Sequence, residues 1–126
     1  MEKKVINTPE APTPIGPYSQ AVQIGNLLFI SGQIALNPAS GNIDATDVFA
    51  ETHQVMHNIK AILNEAQMDF NSIIKTTIFL SDMSFFSAVN EVYGKYFPGD
   101  FPARETVAVK GLPKNVNVEI SMIAGR

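Results

Sequence analysis

The chain closes with two alternating stretches, FPARETVAV at residues 101–109 and VNVEISMIA at residues 116–124. Apolar residues recur at every second position in both stretches, which is typical of β-strands with one buried face. The intervening GLPKN at residues 111–115 predicts a hairpin loop. In such a hairpin Arg104 and Glu119 would lie on the same side of one sheet, as near diagonal neighbours opposite the apolar residues.

The rest of the chain predicts an α+β domain that spans residues 1–126. The expected elements, in order, are strands at 18–24 and 27–36, a helix over about 47–67, a strand at 74–81, a helix over about 84–97 and the closing hairpin. The first 17 residues contain four prolines and are expected to be irregular. Gly32 falls inside the second strand and predicts a bulge or a close backbone approach.

This order of elements predicts a mixed sheet with two helices on one face. The opposite face would be too apolar to be left in water and too polar for the core of a monomer. It would carry Thr77, Phe79, Arg104, Thr106, Ala108, Glu119, Ser121 and Ile123. Burial of this face against further copies of the chain would resolve the conflict, so the sequence predicts a homo-oligomer.

Composition excludes several classes of protein. The 126 residues include no cysteine, which rules out disulfides, thiolate catalysis and iron–sulfur clusters. No apolar stretch is long enough for a membrane span or a signal peptide, so we expect a cytoplasmic protein without membrane contact. The net charge of −3 and the nine scattered basic residues argue against a nucleic-acid partner.

The clearest candidate site pairs Arg104 with Glu119. A guanidinium binds a small carboxylate through two charge-assisted bonds, and a nearby carboxylate can take a proton from water. The alternative is a surface ion pair that contributes little. His53 and His57 have the spacing of two zinc ligands, but no third ligand suggests itself, so we expect no metal site.

Other polar residues are open to two interpretations each. Asn90 lies beside the apolar stripe of the second helix, where it either bonds to the nearby backbone or forms a polar group at a pocket edge. Tyr18 follows a rigid Gly-Pro turn and suits either a core or a site. Ser31 and Gly32 could supply a hydroxyl and a close backbone, but they lack the glycines of a nucleophile elbow and a matched histidine.

Seven blocks of the chain, taken together, resemble the RidA (YjgF) family of reactive enamine/imine deaminases. They occur in the family's order across nearly the whole chain: IGPYSQA at 15–21, SGQI at 31–34, NIKAIL at 58–63, KTTIFL at 75–80, VNEVY at 89–93, FPAR at 101–104 and residues 112–120. No single block is decisive, but their joint occurrence is highly specific.

The resemblance implies a chorismate-mutase-like fold (bacillus chorismate mutase-like) assembled as a homotrimer, with sites between subunits. It further implies hydrolysis of 2-aminoacrylate and related enamines, through 2-iminopropanoate and 2-iminobutanoate, to 2-oxo acids and ammonia, without a cofactor. In this family Arg104 would anchor the substrate carboxylate and Glu119 would activate water. Tyr18, Ser31, Gly32, Asn90 and Thr106 would line the substrate pocket.

Two residues depart from the family pattern. Thr106 stands where many deaminases carry cysteine, and the acidic Glu105 replaces a small residue and is expected to alter the pocket rim. Two other functions stay open: an endoribonuclease on single-stranded RNA, attributed to some relatives, and a non-catalytic trimer that binds small carboxylates.

Overall fold

The computed structural model describes residues 2–126, which form a six-stranded mixed sheet with both α-helices on one face. The strands are β1 (Lys4–Ile6), β2 (Ala21–Ile24), β3 (Leu27–Gln33), β4 (Ile73–Leu80), β5 (Ala103–Ala108) and β6 (Val118–Gly125), and the helices are α1 (Val48–Glu65) and α2 (Phe86–Gly94). Across the sheet the strands follow the order β1-β2-β3-β6-β4-β5. The predicted α+β class, the mixed sheet and the two helices on one face are therefore confirmed.

The longer helix, α1, begins where the sequence predicts. Asp47 caps it by accepting a hydrogen bond from the Ala50 N–H at 2.8 Å. Glu51 and Asn58, which the hydrophobic pattern places off the apolar stripe, are buried at 5% and 1% exposure. Their spacing of seven residues puts them on one helix face, and each is satisfied by hydrogen bonds to the sheet side of the molecule.

The predicted closing hairpin is wrong. β5 pairs with β4 in parallel, whereas β6 pairs antiparallel with both β3 and β4, so β4 lies between β5 and β6. The physical reason is that β4, α2 and β5 form a strand–helix–strand crossover, which places its two strands side by side and parallel. β6 alternates between buried and half-buried residues and occupies the centre of the sheet, while β5 forms its edge.

This topology places Arg104 and Glu119 on opposite faces of the sheet, not on one face. Arg104 is in register with Thr76, which is fully buried on the helix-covered face, so both side chains project to that side. Glu119 is in register with Phe79 and alternates with the buried Ile120. Its carboxylate therefore projects to the face that no helix covers.

The open face differs in composition from the prediction. Thr77, Phe79, Glu119, Ser121 and Ile123 lie on it as expected, whereas Thr106 and Ala108, like Arg104, lie on the helix side because they are in register with the buried Ile78 and Leu80. The open face also carries residues that were not predicted there, namely the exposed Phe29 and Val107 and the ion-paired Lys75 and Glu105. It keeps its mixture of large apolar and charged side chains.

Several element boundaries also differ from the prediction. The strand predicted at 18–24 begins only at Ala21. The irregular N-terminal region contains β1, a short edge strand that pairs with β2. The strand predicted at 27–36 ends at Gln33, after the bulge. The second helix is shorter than expected, because Met83–Phe85 forms a separate 3-10 turn and α2 ends at Gly94. Within residues 2–126, neither helix combines the length and hydrophobicity that a membrane crossing requires.

Candidate active site

Arg104 extends from the edge strand β5 toward α2, where aromatic rings hold its guanidinium. The guanidinium carbon lies 5.1 Å from the centre of the Tyr93 ring and 5.7 Å from that of Phe86. Tyr93 is itself fixed, because its hydroxyl donates to the Oγ1 of Thr76 at 2.9 Å. Within residues 2–126 the guanidinium has neither an ion pair nor a hydrogen bond. The cation is therefore positioned but free to bind an anion.

A cavity of about 310 Å³ lies beside this cation. We call it the Arg104 cavity; its lining residues are Asn90, Tyr93, Gly94, Phe101, Pro102 and Arg104. Burial raises the pKa of the Tyr93 hydroxyl, so this group stays neutral at physiological pH. The cavity thus combines one charged group and one amide with apolar walls, a composition that suits a small organic acid.

Glu119 lies on the open face beside the bulge in β3. The register of β3 with β6 shifts between Ile30 and Gln33, and Gly32 lies in this shifted segment. A Cβ atom at Gly32 would overlap the Glu119 carboxylate, lying 2.9 Å from its carboxyl carbon. The predicted bulge and close approach at Gly32 are therefore confirmed, and the partner in the close approach is Glu119.

The environment of Glu119 makes its carboxylate a stronger base than an ordinary glutamate. Partial burial raises the pKa of Glu119, because desolvation disfavours the charged form. No hydrogen bond to a residue in the described part of the chain offsets this effect. A poorly solvated carboxylate of this kind is suited to removing a proton from a water molecule.

Ser31 and Tyr18 belong to the same region. The Ser31 Oγ donates to the Ser19 carbonyl at 2.6 Å, which ties the bulge to the segment that carries Tyr18. The Tyr18 hydroxyl accepts a bond from the Ile15 N–H at 3.3 Å, and the residue is 45% exposed. Tyr18 and Gly32 line one small cavity of about 20 Å³. We call the set Tyr18, Ser31, Gly32 and Glu119 the Gly32 face.

The structure thus sorts the predicted site residues into two groups. Asn90 and Arg104 line the Arg104 cavity, and Thr106 projects to the same side of β5. The Gly32 face lies across the sheet. β6 is two strands away from β5, about 10 Å, and side chains on opposite faces point apart. A single chain therefore does not bring Arg104 and Glu119 together.

Thr106 and Glu105, the two departures from the family pattern, have separate environments. The Thr106 Oγ1 is buried and has no hydrogen-bond partner among residues 2–126. Glu105 points to the open face, where it bonds to Thr77 at 2.7 Å and to Lys75 at 3.1 Å. These contacts hold the pKa of Glu105 below its ordinary value. Glu105 does not line the Arg104 cavity, because its side chain projects to the opposite face, and its effect on the rim of the substrate pocket stays a prediction.

The two histidines of α1 contact an aromatic residue instead of a common ligand. The His53 Nδ1 lies 2.8 Å from the Tyr96 hydroxyl, and both histidine rings pack near the Tyr96 ring. Burial, with the neighbouring His53 and Lys60 charges, lowers the pKa of His57. Across residues 2–126 no three metal-binding side chains cluster.

Sequence reasoning missed two buried polar residues that support the site. Gln20 is 2% exposed and exchanges hydrogen bonds with Thr8 while donating to the Ala11 and Pro12 carbonyls, so it organises the segment before Tyr18. Glu51 accepts three hydrogen bonds at the start of β6. The helical spacing of Glu51 with Val55, Asn58 and Ile62 was an available signal for its burial.

Comparison with known proteins agrees with this architecture. The family model described as "Endoribonuclease L-PSP" matches residues 8–125. A RutC family protein of Pyrococcus horikoshii is 52% identical over 97% of each chain. A mouse protein named 2-iminobutanoate/2-iminopropanoate deaminase is 48% identical over 97% of this chain and 90% of its own.

Solved structures give the same result. The E. coli YjgF gene product has a TM-score of 0.93 and 44% identity, and the alignment covers 98% of both chains. E. coli TdcF, solved with bound serine, also has a TM-score of 0.93, at 42% identity and 98% coverage of both chains. Fold, sequence and length agree across all of these relatives, and the chain belongs to the RidA (YjgF) family.

Proposed function

We propose that this protein is a 2-iminobutanoate/2-iminopropanoate deaminase, which hydrolyses reactive imino acids to 2-oxo acids and ammonia. We further propose that it acts as a homotrimer, in which the Arg104 cavity of one chain meets the Gly32 face of its neighbour. Assembly would cover the open sheet face, whose exposed Phe29 and Val107 are unusual for a monomer surface. The predicted cytoplasmic location stays a prediction.

The observation that carries the proposal is the free, aromatic-held guanidinium of Arg104 at a cavity of about 310 Å³. It occurs in a chain 48% identical to a protein named as this deaminase. An unpaired guanidinium offers two parallel N–H groups, which match the two oxygens of a carboxylate. The apolar wall of the cavity can accept the short alkyl side chain of the substrate.

The assembled site follows from the distance between the reacting groups. In a 2-imino acid the carboxylate and the reactive C2 carbon are joined by one bond, so the anchor and the base must lie on either side of one small molecule. Arg104 and Glu119 of one chain project to opposite faces and cannot do this. Two chains meeting edge to face supply one residue each.

The chemistry requires one base and one water molecule. Arg104 holds the carboxylate of the protonated imine, while Glu119 takes a proton from water as the water oxygen bonds to C2 and the C=N electron pair moves to nitrogen, which becomes a neutral amine. Protonated Glu119 then returns the proton to the amine of the resulting carbinolamine. When Glu119 takes the hydroxyl proton, the C=O bond forms, the C–N bond breaks and ammonia leaves. Ammonia finally accepts that proton, which regenerates the carboxylate.

A coupled assay tests this proposal. A threonine dehydratase releases 2-iminobutanoate, and its decay is followed with and without the protein. We expect acceleration over spontaneous hydrolysis by the wild type and none by Arg104→Ala. Arg126→Ala is the matched control. Arg126 is the only other arginine in the sequence, and it donates to the Ala66 and Gln67 carbonyls, just after the C-terminal end of α1. An inactive wild type, or full activity in Arg104→Ala, would refute the proposal.

An endoribonuclease is the second candidate, because the matching family model carries that description. The net charge of −3 counts against it, since phosphate neutralisation by basic residues supplies most of the affinity for RNA. Cleavage of single-stranded RNA by nuclease-free protein, abolished by Glu119→Gln, would support this second candidate.

A further inference from the structure

The first residues of β6 extend beyond the end of β3, the strand that pairs with β6 on one side. The last register pair between β3 and β6 is Gln33 with Ile120, so Val118 has no β3 partner. Val118 is fully buried, and a buried backbone N–H without a partner is costly. Something other than a strand must therefore satisfy this end of β6.

Glu51, from the first turn of α1, fills this gap. One carboxylate oxygen, Oε2, accepts from the backbone N–H of Asn117 at 2.8 Å and from that of Val118 at 3.1 Å. The other, Oε1, accepts from the side-chain amide of Asn117 at 2.9 Å. Glu51 is only 5% exposed, and all three contacts are donors. A carboxylate, which only accepts, is the group that matches them.

The same network reaches β4 through Asn117. The Ser81 N–H donates to the Asn117 carbonyl at 3.0 Å, and the Ser81 Oγ donates to the Asn117 Oδ1 at 3.3 Å. α1, β4 and β6 are thus joined at one point. Asn117 lies two residues before Glu119, and Ser81 lies two residues after Phe79, the register partner of Glu119.

Glu119 depends on its backbone for its position. Its carboxylate has no hydrogen bond to any residue from 2 to 126, so no polar side chain in that range orients it. Contact with Gly32 limits the carboxylate on one side. The remaining constraint is the path of β6 itself. Pairing with β4 holds that path on one side, and the Glu51 contacts hold it on the other at the neighbouring Val118.

We propose that Glu51 is a positioning residue for Glu119, an inference that rests on the proposed deaminase function. Glu51 touches neither the substrate nor the attacking water. It holds the start of β6 so that the Glu119 carboxylate meets a substrate anchored by Arg104. Displacement of a reacting group by about 1 Å can cost about 10²-fold in rate, so a remote hydrogen-bond anchor can control turnover.

The test compares Glu51→Ala with Thr52→Val in the coupled assay. Thr52 is the adjacent, fully buried residue, and its hydroxyl bonds to the Val48 carbonyl in its own helix. We expect Glu51→Ala to lower kcat by about 10²-fold with KM unchanged. Amide hydrogen exchange should become faster at Asn117 and Val118. Thr52→Val should keep the wild-type kcat and the slow exchange at both amides.

A double variant separates positioning from general stability. If Glu51 acts through Glu119, then Glu51→Ala should lower the residual rate of Glu119→Gln little or not at all. An equal fold-loss in both backgrounds would overturn the proposal. If Glu51→Ala does not fold, Glu51→Asp replaces it, because it keeps the charge but shortens the reach to β6.

The outcomes also separate this inference from the proposed function. A wild-type protein without deaminase activity refutes the function, and the inference falls with it. An active wild type together with wild-type kcat in folded Glu51→Ala or Glu51→Asp refutes the positioning role alone.

Discussion

The Arg104 cavity and the Gly32 face solve opposite electrostatic problems. In the first, a permanent cation lies between aromatic rings at the sheet edge, without an anionic partner in residues 2–126. In the second, a carboxylate at the sheet centre is partly desolvated, which raises its pKa. The first arrangement is suited to binding an anion and the second to moving a proton. Their separation across the sheet indicates that neither region is a complete site by itself.

Among the variants, the largest loss of activity should come from substitution of Glu119 on the Gly32 face. Glu119→Gln removes the base but keeps the size of the side chain, so we expect kcat to fall by about 10²–10⁴-fold. Affinity for 2-oxobutanoate, measured by calorimetry, should change little, because Arg104 holds the carboxylate. Glu91→Gln, an exposed position on α2, is the matched control and should keep full activity. Wild-type kcat in Glu119→Gln would indicate a binding protein or another base.

The Arg104 cavity should show the complementary pattern. Loss of a charge-assisted bond costs about 1.5–3 kcal/mol, so Arg104→Ala should weaken binding of 2-oxobutanoate by about 10- to 150-fold. Arg104→Lys keeps the charge without the planar fork and should fall between the wild type and Arg104→Ala. Calorimetric titration of the three proteins checks this order. Equal affinity in all three would rule out Arg104 as the anchor.

A smaller effect is expected where the backbone meets Glu119. Gly32→Ala places a methyl group against the Glu119 carboxylate, which must shift; because this is the flexible end of a side chain, we expect the lower end of the usual overpacking cost, about 1 kcal/mol of unfolding free energy. Gly99→Ala is the control, because a Cβ atom there contacts nothing within 4 Å. Thermal unfolding should show a lower Tm for Gly32→Ala only. If both variants have the wild-type Tm, the close approach at Gly32 is not a constraint.

The smallest expected effect is a shift in the pH dependence of kcat and of the unfolding free energy. Because burial raises the pKa of Glu119, kcat should fall with acidification at a higher pH than an ordinary glutamate would cause. Protonated Glu119 favours the folded state; this stability is present below the unfolded-state pKa and lost as pH rises through the folded-state pKa. The wild type should therefore lose more unfolding free energy than Glu119→Gln between acidic and neutral pH. Identical pH profiles for kcat and stability in both proteins would contradict this.

The sequence predicted where helices and strands lie along the chain more reliably than it predicted which strands pair in the sheet. Periodicity located α1, β4 and β6, because burial of one face determines which residues repeat. It failed for the pairing of β5, because a short loop suggested a hairpin while the crossover through α2 required a parallel pair with β4. Alternation within a strand shows which residues share a face, but not which face of the sheet that is. The local sequence pattern therefore could not show to which face of the sheet the Arg104 side chain projects.

The candidate site residues could likewise be predicted from local features of the sequence, but their long-range contacts could not. Gly32 could be singled out because a glycine inside a strand already indicates a close contact. Glu51 could not be linked to β6, because its three partners lie 66 and 67 residues away along the chain. Long-range hydrogen bonds of this kind leave no periodic signal, although helical spacing could have indicated that Glu51 is buried.

The central claim is that Arg104 and Glu119 of different chains form one site. Arg104→Ala and Glu119→Gln each lose most of the wild-type activity in this account, and the measurement is the activity of a refolded equimolar mixture. In a cyclic trimer, random mixing gives about one quarter of the interfaces an intact Arg104 facing an intact Glu119, so about one quarter of wild-type activity should return. If both residues acted within one chain, the mixture would be no more active than the separate variants, and the account would be wrong.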